Sequence, residues 1–110
     1  MNLFSWFTAL FSQRGKALSL YRRGMRRAQQ HDHQGAIEDY TATIDRPDAP
    51  ADVKAMARFN RGLVHVAAGD LEHGIEDLNA VLVMPGASEN VRTMARRKLV
   101  RMESRPRKNE

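Results

Sequence analysis

The chain has 110 residues and a net charge of +5, which makes one small domain or a short array of repeats. Apolar residues at 42% and charged residues at 28% give a globular composition rather than a disordered or membrane-spanning one. Cysteine is absent, which excludes disulfides, thiolate metal sites and cysteine nucleophiles.

The first element in chain order is the apolar run L-F-S-W-F-T-A-L-F at residues 3–11. As a helix it places Leu3, Phe4, Phe7, Leu10 and Phe11 on one broad face, with Trp6 at its edge and Ser5, Thr8 and Ser12 opposite. Nine helical residues rise about 13.5 Å against a hydrocarbon core of roughly 30 Å, so no transmembrane span is expected. No basic leader precedes the run and no small-x-small cleavage site follows it, so a secretory signal is not expected either. The acid-free, arginine-rich start also fits an organelle presequence, although cleavage beyond residue 30 would destroy the first repeat described below. Two readings of residues 1–15 stay open. They form a short amphipathic helix that caps the first hairpin, or they lie in a membrane interface while Arg14, Lys16 and the Arg22–Arg27 cluster meet anionic headgroups.

From residue 16 onward the pattern is helical. Leu20, Tyr21, Gly24, Met25 and Ala28 recur at three- and four-residue spacing, and Met56, Phe59, Gly62, Leu63 and Val66 do the same later. The breaks H-D-H-Q-G (31–35) and A-G-D-L (68–71) follow, and then second stripes at Ile37, Tyr40 and Ile44 and at Ile75, Leu78 and Leu82. Pro47 and Pro50, and later Pro85 and Gly86, end those helices. Gly24 and Gly62 stand mid-helix at a cost of roughly 1 kcal/mol each, which predicts a neighbouring helix backbone close by, with Ala36 and Gly74 serving that contact from the other side. Ser88 is the expected N-cap of a last helix, with Glu89 in its first turn. That helix turns Val91, Met94, Ala95, Leu99 and Met102 inward and spreads Arg92, Arg96, Arg97, Lys98 and Arg101 around the outside. No stretch alternates with period two, so an all-α fold without β-sheet is expected.

The segments repeat at a fixed offset. P-D-A-P-A-D-V-K-A-M-A-R (47–58) lies over P-G-A-S-E-N-V-R-T-M-A-R (85–96) with six of twelve positions identical, a shift of 38 residues. At the same offset A-I-E-D-Y-T-A-T-I (36–44) lies over G-I-E-D-L-N-A-V-L (74–82) without a gap. The chain therefore divides into an N-terminal amphipathic helix or cap (1–15), a repeat domain (16–104) and a basic tail (105–110). Within the domain, repeat 1 covers about 17–50, repeat 2 about 51–87, and a C-terminal capping helix 88–104.

The repeat resembles the tetratricopeptide family. Asn60, Gly62, the Gly69-Asp70 turn, Gly74, Ile75, Leu78 and Pro85 carry the likeness in the second copy, and Leu20, Gly24, Asp32, Ala36, Ile37, Tyr40 and Pro47 in the first. It departs from the family at Arg23 and Arg61, which replace a large apolar residue, and at Arg27 and His65, which replace a tyrosine. Its unit of 38 residues exceeds the usual 34, the extra four falling in the Pro47–Lys54 connection. The resemblance implies an α–α superhelix whose concave face, lined by the first helix of each hairpin, takes a peptide or partner domain. That face would present Leu18, Tyr21 and Met25, then Met56, Phe59, Asn60 and Leu63, then Met94, Arg97, Lys98 and Arg101. An apolar floor beside a basic wall suits an acidic peptide. A carboxylate clamp of the kind some family members use is matched only at Asn60 and Lys98, so binding of a chaperone tail is not expected.

Catalysis finds no support. The serines lie in no nucleophile motif, and no glycine-rich phosphate loop exists. The acidic pairs Glu38-Asp39 and Glu76-Asp77 point about 100° apart on a helix and read as solvated surface. His31, Asp32, His33 and His73 read as polar turn residues rather than metal ligands. No cofactor, metal or small-molecule substrate is expected. Residues 1–30 carry six basic and no acidic groups, residues 31–90 eleven acidic against four basic, and residues 91–110 eight basic against two acidic. Basic ends around an acidic middle do not form one continuous stripe, which argues against nucleic acid. The expectation is a non-catalytic, cytoplasmic scaffold or adaptor that binds protein, with a membrane-surface protein as the alternative and nucleic-acid binding through the basic ends as a weaker one.

Overall fold

Four short polar side chains open helices by the same device. Asn2, Asp32, Asp70 and Ser88 each accept a hydrogen bond from the backbone amide three residues on, at 2.8 to 3.2 Å. The computed structural model describes residues 2–104, and for residues 7–13 the helical backbone without the side chains. It contains α1 (Leu3–Gln29), α2 (His33–Asp45), α3 (Ala51–Ala67), α4 (Leu71–Val83) and α5 (Glu89–Glu103), and no strand among the described residues. The all-helical expectation and the Ser88 cap are therefore met. The basic tail at 105–110 lies outside the described residues.

α1 with α2 and α3 with α4 form helical hairpins; α2 also packs on α3, and α4 on α5. α1 touches α3, and α3 touches α5, so each helix meets only near neighbours in the chain, and the molecule extends 64 × 27 × 18 Å. The repeat is reproduced to the residue: α2 and α4 begin and end 38 positions apart. The same shift relates His31 to Gly69, and both take the left-handed backbone, at φ +61° and +90°. Only glycine adopts that region freely, so His31 carries strain that Gly69 does not.

The N-terminus differs from the expected short, separate helix. α1 runs unbroken from Leu3 into the first hairpin for 27 residues, about 40 Å. Nothing in Ser12-Gln13-Arg14-Gly15-Lys16 can turn the chain: one glycine weakens a helix without ending it. Leu3 and Phe4 are consequently 70% and 75% exposed rather than laid over a flank of the repeat. An exposed ion pair of Arg14 with Asp52, 3.4 Å, connects this part of α1 to the start of α3.

Two cores hold the hairpins together. The first gathers Ala17, Tyr21, Ala36, Tyr40, Val53, Ala57 and Val64, and the second Ala55, Phe59, Leu78, Val81, Ala87 and Ala95. The close approach predicted at Gly62 is present: a Cβ there would lie 3.0 Å from that of Asp77 and 3.3 Å from the Gly74 carbonyl oxygen. At Gly24 the near neighbour is the Tyr40 ring, 2.7 Å from where a Cβ would stand, rather than a backbone. Tyr40 fills in the first hairpin the space that Leu78 and the Gly62–Gly74 contact fill in the second.

The reading of the acidic pairs is corrected. Glu38 and Glu76 face solvent, but Asp39 and Asp77 are only 2% exposed. Arg23 grips Asp39 through Nε and Nη2, both at 2.9 Å, and Arg27 adds Nη1 at 3.1 Å. Arg61 grips Asp77 the same way at 2.8 Å twice, and Arg58 adds Nε at 2.8 Å. Arg61 also donates from Nη1 to Thr41 Oγ1 of α2 at 3.1 Å, so one guanidinium joins both hairpins. The Arg23 hydrogen bond holds the Asp39 carboxyl below its ordinary value of 3.8. Burial pushes the Asp77 carboxyl up, but the bonds and charges of Arg61 and Arg58 outweigh it and hold this group below 3.8 as well.

Because both folded carboxyls titrate below 3.8, the stability they contribute is complete above that pH and is lost as pH falls through the folded values. Urea midpoints taken at descending pH should drop steeply below about pH 4, and Asp39→Asn with Asp77→Asn should flatten that limb while lowering stability at neutral pH. His31→Gly should raise unfolding stability by about 0.5–1 kcal/mol, read from the same midpoints.

Candidate functional site

α3 works with two faces. One carries Val53, Ala57 and Val64 into the core of the first hairpin. The other carries Ala55 and Phe59 into the core with Leu78 and Val81, sets Gly62 against α4, and aims Arg58 and Arg61 at Asp77. α5 repeats only the first of these. Its Val91, Ala95 and Met102 pack into the second core, as their counterparts Val53, Ala57 and Val64 do in the first, and Leu99, in the place of Arg61, joins them. The counterparts of Ala55, Arg58, Phe59, Gly62 and Leu63 are Thr93, Arg96, Arg97, Val100 and Arg101. No described helix covers them, and they line an open hollow of about 410 Å³.

That face is basic with an apolar centre. Val100 is 64% exposed, Arg97 and Arg101 stand in solvent, Lys98 is half-buried, and Met94 is exposed outside the lining of the hollow. Arg96 bonds Glu89 Oε1 at 2.9 Å, and Arg92 reaches Glu89 Oε2 at 3.4 Å. The Arg96 and Arg92 charges together hold the Glu89 carboxyl below its ordinary value, Arg96 through its hydrogen bond first. Among the described residues Arg97, Lys98 and Arg101 have no carboxylate within ion-pair distance.

The residues expected on a concave binding face divide. Tyr21 and Phe59, 8% and 9% exposed, are corrected to core: their spacing turns them onto the second helix of their own hairpin. The Tyr21 and Tyr40 rings lie 5.9 Å apart, and burial raises both phenols, Tyr40 to about 12. Leu18, Met25 and Met56 pack partly buried on the first core and Leu63 on the second. Asn60 donates to Tyr21 Oη at 2.7 Å and to the Met56 carbonyl at 3.0 Å, so it ties α1 to α3. The exposed residues of the set, Met94, Arg97 and Arg101, all belong to α5, with the half-buried Lys98 between them. At the other group, Leu3 and Phe4 are exposed and Trp6 is half-exposed, while the side chains of Phe7, Leu10 and Phe11 lie outside the described residues.

The histidines of the second turn are ordered around its cap. His73 Nδ1 lies 2.6 Å from Asp70 Oδ2, which raises the His73 imidazole, and the His65 ring sits 5.4 Å away with its pKa lowered by burial. Among the described residues no three His, Asp or Glu side chains converge as a metal site, and no helix is long and apolar enough to cross a membrane. Comparison with family models, curated proteins and solved structures finds no match to this chain.

Sequence reasoning missed the buried aspartates, and a signal for them exists. In both copies an arginine replaces the apolar residue 16 positions before the aspartate, Arg23 before Asp39 and Arg61 before Asp77. Phe59→Ala should cost about 3–4 kcal/mol in urea unfolding, as for a core phenylalanine, whereas Arg97→Ala with Arg101→Ala should stay within about 0.5 kcal/mol.

Proposed function

We propose that this protein is a non-catalytic interaction scaffold, a short tetratricopeptide-like array that binds a peptide or partner domain in the cytoplasm. The uncovered face of α5 carries the reading. Among the described residues α5 is held by one side only, which leaves five side chains and a hollow of about 410 Å³ where the preceding repeat seats a helix. The residues first expected to bind, Tyr21 and Phe59, are occupied in holding the hairpins, which moves the contact surface to Met94, Arg97, Lys98 and Arg101.

A second reading rests on a different observation. Leu3 and Phe4 are open to solvent on the same continuous helix as the exposed Arg14 and Lys16, an arrangement suited to an anionic membrane surface. Trp6 is the single tryptophan and reports on it directly.

Peptides selected by display against the immobilised protein and then titrated by calorimetry should bind saturably at one per chain. Failure to select any saturable binder would overturn the scaffold reading. Trp6 emission should be unmoved by anionic vesicles if the scaffold reading holds; a blue shift with protection from soluble quencher would favour the membrane reading instead.

A further inference from the structure

The forward faces of α1 and α3 are each closed by a helix that pushes an aspartate between arginines, Asp39 onto Arg23 and Arg27, and Asp77 onto Arg58 and Arg61. α5 offers the equivalent face with Arg96 in the place of Arg58, and no described helix covers it. We infer that this face receives an acidic amphipathic helix from a partner protein, seated near the register that α4 takes on α3. A partner carboxylate meets Arg96, and further carboxylates meet Arg97 and Arg101. This rests on the interaction reading above and gives that reading its site and its ligand chemistry.

The differences between α3 and α5 define the occupant. Phe59 and Leu63 become Arg97 and Arg101, so the strip that takes Leu78 and Val81 on α3 demands negative charge on α5. Gly62 becomes Val100, which forbids the tight approach made possible by the Gly62–Gly74 contact and holds the incoming helix farther out. Arg96 keeps the place of Arg58, the residue whose Nε reaches Asp77 at 2.8 Å. Its present partner, Glu89, is a mostly exposed side chain, and a pair of that kind exchanges at little cost. Val100, at the centre of the hollow, supplies the apolar contact for such a helix. The α5 helix of a second copy brings arginine to arginine, and the residues after Ser104 carry Arg105, Arg107 and Lys108, so neither complements the face.

The probe is a helix-locked, fluorescein-labelled peptide of the α4 sequence Leu71–Val83 with Leu78→Glu and Val81→Glu, titrated against the full chain by anisotropy. Saturable binding is expected, weakened about ten-fold or more by Arg97→Glu with Arg101→Glu while the thermal melt stays unchanged, and weakened several-fold when the peptide also carries Asp77→Asn. Equal binding of a scrambled peptide of the same composition would overturn the inference in favour of a general polyanion surface. Binding indifferent to the Arg97 and Arg101 substitutions would overturn it by placing the peptide elsewhere. Self-association in light scattering that is abolished by the same substitutions would overturn it in favour of a second copy. If display-selected peptides bind but this probe does not, the inference falls and the scaffold reading stands; if neither binds, both fall.

Discussion

A carboxylate withdrawn from water costs several kcal/mol unless its charge and its oxygens are fully answered. Asp39 and Asp77 are answered by forked guanidinium groups that arrive side-on from the preceding helix, Arg23 and Arg61, with a second arginine completing each cage. The geometry leaves little freedom. Bidentate pairing fixes the distance and the roll of α2 on α1 and of α4 on α3, where apolar stripes alone would permit sliding. Because Arg61 also bonds Thr41, the same group sets how the second hairpin sits on the first. Apolar packing supplies most of the driving force, through Tyr40, Leu78, Val53 and Val81. The ion pairs decide which of the packed arrangements is the native one.

The device is not repeated in α5. In α5 the position of Arg61 is held by Leu99, which turns into the core, and the position of Gly62 by Val100, which blocks close approach. A further helix of the α4 kind would find only Arg96, in the place of Arg58, for its aspartate, with no counterpart of Arg61 and no small-residue contact. What is left is a helix with a buried back and a basic front. The connection between α2 and α3 acts at the other joint: Pro50 caps α3, and Ala49 turns into the first core.

Much of this was legible in the residues. The breaks at 31–35 and 68–71, the stops at Pro47 and Pro85 and the Ser88 cap, all visible in the residues, fall at or beside helix ends, and α2 and α4 lie 38 positions apart. The small residues at Gly62 and Gly74 announced their contact. Three things were hidden. Periodicity says which residues share a face but not which of two faces a neighbour covers, so Tyr21 and Phe59 looked available when they are core. Asp39 looked solvated because its burial depends on an arginine 16 residues away in sequence. The joining of residues 3–11 to the first hairpin helix was hidden because Gly15, which sits in open space, looks like a boundary but imposes none.

The central claim is that the Arg–Asp pairs are coupled, register-setting interactions rather than incidental surface charge. A double-mutant cycle on Arg61 and Asp77 by urea unfolding tests it most directly, using Arg61→Met and Asp77→Asn to keep side-chain size. The exposed pair Arg14–Asp52 serves as the internal reference. The account requires a coupling energy of about 2 kcal/mol for the buried pair and near zero for the exposed one. Additive effects at Arg61 and Asp77, within about 0.3 kcal/mol, would contradict it.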